Sequence, residues 1–378
     1  MPRQPSSDPT PSPVIPHDLA RGRTAAAGID APIVVTGASG FIGRHLVQRL
    51  LAAGCAVRAV SRTPAAASDT DTAPATPANA PALHRVASPS ADATVDEWRE
   101  VVSGALAVVH LAGLAHRPLD ADANDRATRR AALRELRRVN VVAAHRLARA
   151  AQAAGVRDFI FVSSIKAIAE RSDGSALDES TPPRPEDCYG LAKLAAERKL
   201  ARIASRRGDG PTPPMRICVL RPPLVYGPGV KGNFAQLQRA IDAGWPLPLA
   251  GIDNRRSLLH VGNLVDAMMR ILARPDAPGG VYHLCDPEPM ATPALVASIA
   301  RAGGRRARLF GCPPALLRAI ARATGRDAQF ERLSGSLVLD DRAFRKCFDW
   351  TPRRSTDEAL AADARSPGSH DATGGRAA

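Results

Sequence analysis

The sequence predicts an α/β fold, a doubly wound parallel sheet with helices on both faces. Three observations carry that reading. Short apolar runs alternate with helical stretches through the first two thirds of the chain. A glycine cluster stands where the first run meets the first helix. There is no internal repeat, and 378 residues suit one large or two interlocked domains. A βαβα order of this kind makes consecutive strands parallel and the helices their crossovers.

The first strand is Ile33–Thr36, IVVT, and Arg44–Ala53 is an amphipathic helix. Between them stand Gly37, Gly40 and Gly43 in the spacing G-x-x-G-x-x-G. The first glycine allows a tight turn, the second lets backbone approach a pyrophosphate, and the third lets helix and strand pack closely. The helix N-terminus then offers free N–H groups and a partial positive charge to the phosphates. Glycines that follow a strand, open a helix and begin a βαβ unit point to dinucleotide binding and to a Rossmann-type sheet.

The second strand, Ala56–Ser61, bears on the choice of dinucleotide. Ser61 and Arg62 stand where an NAD site places a carboxylate for the ribose 2′-hydroxyl, and no acid is present. A hydroxyl and a guanidinium suit a 2′-phosphate. NAD or NADP is the expected cofactor, with NADP(H) favoured by Arg62; the other readings of Arg62 are stacking on adenine or facing solvent. Residues 63–81 are a low-complexity insertion, and 205–214 a shorter one. Val95–Ser103 reads as a helix, Ala107–Ala112 as a strand and Arg126–Ala154 as a long helix.

Phe159–Ser163 is a strand that ends at Ser163 and Ser164. In the helix Tyr189–Ser205, Tyr189 and Lys193 are four residues apart and share a face. A tyrosine titrates near about 10, and a neighbouring ammonium favours its phenolate. Lys193 can also reach a nicotinamide ribose, and Ser164 can hold a substrate oxygen. Ile217–Arg221 is the next strand. The expected organisation is a disordered leader (1–30), a dinucleotide-binding domain (31–226), a smaller C-terminal α/β substrate-binding domain partly interleaved with the sheet (227–354) and a disordered tail (355–378).

With these residues in place, the chain resembles the extended short-chain dehydrogenase/reductase family, among its nucleotide-sugar epimerases, dehydratases and ketoreductases. The motifs are TGASGFIG (Thr36–Gly43), VVHLAG (Val108–Gly113), VN (Val139–Asn140), FIFVSS (Phe159–Ser164), YGLAK (Tyr189–Lys193), LRPPLVYGPG (Leu220–Gly229) and RRSLLHVGNLVDAM (Arg255–Met268). The resemblance implies that Gly37, Gly40, Phe41, Ile42 and Gly43 line the pyrophosphate. It implies that Leu111, Ala112 and Gly113 pass along the adenosine, and that Pro222 and Pro223 lie near the nicotinamide carboxamide. Ser164, Tyr189 and Lys193 would be the catalytic set. Asn233 would contact the nucleotide sugar, and Arg256 and Arg332 its diphosphate. Lys166, two residues after Ser164 where a small residue is more usual, would also face the substrate. The implied reaction is hydride transfer at C4 of a UDP-hexose, as a 4-epimerase in surface-polysaccharide precursor synthesis. The alternative is an NADPH-dependent 4-ketoreductase; a more distant one is a non-catalytic dinucleotide-binding regulator. Relatives pair through two helices each, so a homodimer through Arg126–Ala154 and Tyr189–Ser205 is expected.

Composition narrows the partners. The formal charge is +14, yet only five of the 51 basic residues are lysines and the arginines are spread out. No basic stripe interleaved with aromatics appears, so no nucleic-acid partner is expected. Six scattered cysteines without a CxxC pair suggest neither a disulfide framework nor a metal site. The first thirty residues contain no apolar targeting core, and no apolar run reaches about 18 residues. A cytoplasmic protein with no membrane partner is expected.

Overall fold

The computed structural model describes residues 31–62, 81–114, 126–205, 214–325 and 327–365. The leader 1–30 and most of both insertions lie outside the described residues. The main sheet has seven parallel strands in the order β3-β2-β1-β4-β5-β6-β9. These are β1 (Ile33–Thr36), β2 (Val57–Ser61), β3 (Leu83–Ala87), β4 (Ala107–His110), β5 (Asp158–Val162), β6 (Arg216–Arg221) and β9 (Gly280–His283). The chain runs outward from β1 to β3, then returns to lay β4 on the other side of β1. This reversal opens a crevice at the C-terminal ends of β1 and β4, where such sheets bind ligands.

Both faces of the sheet are covered, so the central strands β1, β4 and β5 are buried throughout and apolar except at Thr36, His110 and Asp158 at their ends. On one face, helices α1 (Phe41–Ala52), α7 (Val261–Ala273) and α11 (Arg342–Phe348) pack through Leu46, Leu50, Leu264, Met268, Phe344 and Phe348 onto Val35, Val109 and Ile160. On the other, α2 (Val95–Val102), α4 (Ala144–Ala153) and α5 (Cys188–Ala204) pack through Trp98, Leu147 and Leu200 onto Val34, Val108, Phe159 and Phe161. The segment read as one helix from Arg126 to Ala154 is α3 (Arg126–Arg137), a π-helical turn (Arg138–Ala143) and α4.

The C-terminal part builds a second, smaller layer. Strand β7 (Leu224–Tyr226) pairs in parallel with β8 (Leu258–His260). Around them lie α6 (Asn233–Asp242), α8 (Thr292–Ala302), α9 (Pro314–Ala323) and α10 (Asp327–Ser334). Tyr226, Phe234, Leu258, Val296 and Leu360 form its core. Because β9 joins the main sheet and α7 packs on α1, the two parts are interleaved.

Two local expectations are corrected. The tail expected to be disordered from 355 begins with α12 (Thr356–Arg365), which buries Ala359 and Leu360 in the second core. Its start is a reciprocal cap. Ser355 N–H donates to Glu358 Oε2 at 2.8 Å, and Glu358 N–H donates to Ser355 Oγ at 3.3 Å. Ser355-Thr-Asp-Glu358 is therefore a capping box, a signal legible in the sequence. Residues 366–378 lie outside the described residues. Strand β3 was also not expected. It is an edge strand whose His84 and Arg85 face solvent, so no apolar run announces it.

Candidate active site

The glycine turn lies at the crevice. Gly37 has φ +71°, and a Cβ there would sit 2.8 Å from Ala112 N. Leu111 and Ala112 thus close one wall of the turn, and Gly113 follows them. A Cβ on Gly43 would sit 2.2 Å from the Gly37 carbonyl oxygen, so α1 can approach β1 only without one. Gly40 precedes α1, whose first turn has no capping side chain and no acid. The N–H groups of Phe41, Ile42 and Gly43 are left without intrahelical acceptors. A cradle of backbone donors that, among the described residues, no side chain caps fits a dinucleotide pyrophosphate. Ser61, at the end of β2, is buried and Arg62 after it is exposed. The turn lies beside them, since Gly37 N–H donates to Val60 O at 2.9 Å.

Across the crevice, β5 ends in two serines with opposite directions. Ser163 is buried and donates to Glu197 on α5. Ser164 is part-exposed and caps a short 3-10 helix, Ile165–Ala167, accepting from Lys166 N–H at 3.3 Å. That bond leaves the Ser164 hydroxyl proton to donate. Ile165 N–H donates to Pro222 O at 3.0 Å, which sets Pro222 beside the same segment. Helix α5 comes in so closely that a Cβ on Gly190 would lie 2.2 Å from Lys166 O. This contact brings Tyr189, in the first turn of α5, to the Ser164 end of the crevice.

Lys193 lies one turn deeper and is buried. Its Nζ donates to Val162 O at 2.9 Å and sits 5.7 Å from the Tyr189 ring centroid and 4.7 Å from that of Phe161. Burial pulls its pKa down to about 8, against the Glu197 carboxylate. The expected lowering of the Tyr189 pKa is not found. Burial pushes the phenol up, and the nearby Asp187 carboxylate pushes it further. Lys193 lies over the ring face while its Nζ is hydrogen-bonded elsewhere.

Behind these groups is a buried ion pair that sequence reasoning missed. Arg221 Nη2 donates to Glu197 Oε2 at 2.6 Å, and its Nε reaches both carboxylate oxygens at 3.2 Å. With Ser163 it ties the ends of β5 and β6 to α5. Glu197 is four residues from Lys193, a visible spacing, but Arg221 is on another element. Asn140 was quoted only as part of a motif. It lies in the π-helical turn, and its amide accepts from Leu114 N–H at 2.8 Å and donates to Leu114 O at 3.1 Å. It thereby holds the chain just past Gly113.

The predicted substrate residues divide. Lys166 Nζ is paired with Asp187 at 2.6 Å and Glu170 at 3.1 Å. Two of its three N–H groups are thus directed at protein carboxylates. Burial works to raise the Asp187 carboxyl, but hydrogen bonds from Lys166 and Gly190 N–H hold it below its usual range. Arg332 Nε lies 3.6 Å from Glu170 Oε2, and Arg256 also faces Glu170 electrostatically. Arg256 Nη1 donates to Gly335 O at 2.6 Å. Lys166, Arg256 and Arg332 therefore converge on Glu170, an acid that sequence reasoning missed. Asn233 is exposed at the first position of α6, and among the described residues no hydrogen bond or ion pair links it to this cluster.

His110, at the end of β4, has a clear pH consequence. It is hydrogen-bonded through Nδ1 to Thr36 Oγ1 at 2.6 Å and stacked on Phe161, and Nε2 is buried without a partner among the described residues. Burial, and then Lys193, pull its pKa down to about 3. Below about pH 6.5 the unfolded chain takes up a proton that the folded one refuses, so stability is lost as pH falls from 6.5 towards 3. Between pH 7 and 5 this group costs about 2 kcal/mol. Urea unfolding of the protein and of His110→Gln should show a loss on acidification that is smaller by about that amount in the variant.

Comparison with known proteins places this geometry. The profile of the NAD dependent epimerase/dehydratase family matches residues 33–285. The UDP-glucose 4-epimerase of Vibrio cholerae is 30% identical over 331 residues, 87% of this chain and 93% of that protein. The GDP-6-deoxy-D-mannose reductase of Pseudomonas aeruginosa is 28% identical over 71% of this chain and 79% of its own. Among solved structures, MoeE5 in complex with UDP-glucose and NAD is 26% identical with a TM-score of 0.64, covering 88% of this chain and 97% of that one.

Proposed function

The chain belongs to the NAD dependent epimerase/dehydratase family, and we propose that it is an NAD(P)-dependent enzyme transferring hydride at C4 of a UDP-hexose, a 4-epimerase of UDP-glucose or a UDP-N-acetylhexosamine. The observation that supports this reading is that Lys193 Nζ lies beside Gly113, while Lys166, two residues after Ser164, is paired with Glu170, the acid that Arg332 faces. The similarity to the Vibrio cholerae epimerase supports it. Synthesis of surface-polysaccharide precursors is the proposed setting.

Gly37, Gly40, Phe41, Ile42 and Gly43 would hold the dinucleotide pyrophosphate, with Leu111, Ala112 and Gly113 along the adenosine and Pro222 at the nicotinamide end. Bound nicotinamide supplies the hydride acceptor and donor. Ser164 donates to the sugar O4 and orients it. Tyr189 exchanges a proton with the same oxygen as its bond order to carbon changes. Lys193 stabilises the phenolate when Tyr189 gives its proton up. Lys166 neutralises Asp187, whose charge opposes that phenolate. Arg256 and Arg332 would leave Glu170 to bind the substrate diphosphate, as guanidinium forks do, and Asn233 would contact the nucleotide.

Two observations favour a second reading. Ser61 and Arg62 follow β2 with no acid, and the raised Tyr189 pKa suits a proton donor. Both fit an NADPH-dependent 4-ketoreductase, in which Tyr189 would protonate the C4 oxygen of the incoming 4-keto sugar as hydride is added to that carbon, once per turnover. Denaturing freshly purified protein and identifying the released nucleotide separates the two. NAD(H) held at about one per chain supports the epimerase. A protein that emerges empty and prefers NADPH supports the reductase and makes Ser61 and Arg62 the 2′-phosphate site.

A homodimer through α3 and α5 is part of this proposal. Leu133 and Leu191, on those two helices, are 36% and 54% exposed. Light scattering at micromolar concentration should give twice the chain mass, and Leu191→Asp should give a monomer. A monomeric unsubstituted protein would refute the pairing.

A further inference from the structure

Helix α9 is apolar on a side that the rest of the described chain does not cover. It buries only Ala321, while Leu316 and Ile320, four residues apart on one stripe, are 52% and 51% exposed. Phe310, 48% exposed, leads through residues 311–313 directly into α9. Trp245, 65% exposed, lies on the segment that runs beside Phe310. Two residues beyond it, Leu247 N–H donates to Arg308 O at 2.8 Å, and Phe310 N–H donates to Leu247 O at 3.1 Å.

The stretch of sequence that carries Phe310 and α9 is basic. From Pro289 to Gly325 there are six arginines and no acid. Arg318 is paired with Glu331 at 3.3 Å and Arg301 with Asp357 at 3.0 Å, acids from other elements. Arg305 and Arg308 instead donate to the backbone carbonyls of Asp242 and Gly244, and Arg306 between them is exposed. The acid on that neighbouring element is Asp242 itself.

We propose that this face docks the protein peripherally on an anionic lipid surface, with α9 in the headgroup plane and Trp245 and Phe310 as aromatic anchors. An amphipathic helix binds an interface through its buried apolar area together with attraction of basic residues to anionic headgroups. Tryptophan is favoured at that depth. A second copy of the same face is a poor occupant, because it would set arginine against arginine. Among the described residues no helix is long and apolar enough to cross a membrane, and docking of this kind requires none. The expectation of no membrane partner rested on the lack of a spanning run, which does not address a peripheral face. Arg332 on α10 places the proposed sugar site next to this surface, since α10 follows α9 and carries Glu331.

The protein contains its own probe. Trp98 and Trp350 are 3% and 4% exposed, so Trp245 dominates the response of tryptophan emission to a new environment. The full chain is mixed with vesicles of phosphatidylcholine alone, or of phosphatidylcholine with phosphatidylglycerol. The expected result is a blue shift and about tenfold greater co-sedimentation with the anionic vesicles, both suppressed by high salt. Trp245→Phe should lose the shift, and Leu316→Asp with Ile320→Asp should lose the sedimentation while melting as the unsubstituted protein does. Emission and sedimentation that do not distinguish the two vesicles would overturn the proposal. So would a shift that appears with rising protein concentration in buffer alone, which would mark the face as a contact between copies.

Discussion

Tyr189→Phe should reduce turnover by roughly a hundred- to ten-thousand-fold while leaving fold and dinucleotide affinity little changed. The ring stays in place, because the position of α5 is set by the approach of Gly190 to Lys166 O and by the Asp187 cap on Gly190 N–H at 2.7 Å. Only the exchangeable proton is removed. Steady-state kinetics and a dinucleotide titration on one preparation check both halves. Intact turnover would mean that the reacting oxygen exchanges its proton elsewhere. If cellular function survived with turnover abolished, the non-catalytic reading would gain.

Gly37→Val should abolish dinucleotide binding and lower stability by several kcal/mol. A β-branched residue at φ +71° carries about 1–3 kcal/mol of strain. Its Cβ would also meet Ala112 N at 2.8 Å, and backbone there cannot move aside without parting β1 from β4. Gly37→Ala is the graded companion, with a smaller loss in each quantity. Thermal melting with and without added NAD(H) reads both effects, since a binding protein gains stability from its ligand. Normal binding by the valine variant would contradict the placement of the cradle.

Much of this architecture was legible because it is local. Strand, glycines and helix sit within twenty residues, and each glycine is required by a neighbour close in sequence or by the next strand of the sheet. Ser164, Tyr189 and Lys193 were legible for the same reason, as two short segments whose spacing implies their geometry. The π-helical turn around Asn140 was not, since a six-residue change of pitch leaves the apolar period almost intact. Glu170 and Glu197 escaped because an isolated acid acquires meaning only from its partners, and Arg332 and Arg221 come from other elements. The fall in the Tyr189 pKa was expected from Lys193 alone. Burial and Asp187 outweigh that one neighbour, and burial is not written in a four-residue spacing. The helix at Thr356–Arg365 was a different failure, because its Ser355–Glu358 box lay in plain view.

The central claim is 4-epimerisation of a UDP-hexose by hydride transfer, and it is tested most directly by incubating the protein with UDP-glucose in deuterated water and following the sugar by NMR. The account predicts that UDP-galactose appears until the two sugars equilibrate, with no solvent deuterium at C4, because the hydrogen leaves and returns within one site. Failure to interconvert UDP-glucose or UDP-N-acetylglucosamine, with NADPH-dependent reduction of a UDP-4-keto sugar in its place, would contradict the epimerase and leave the reductase as the activity of the same residues.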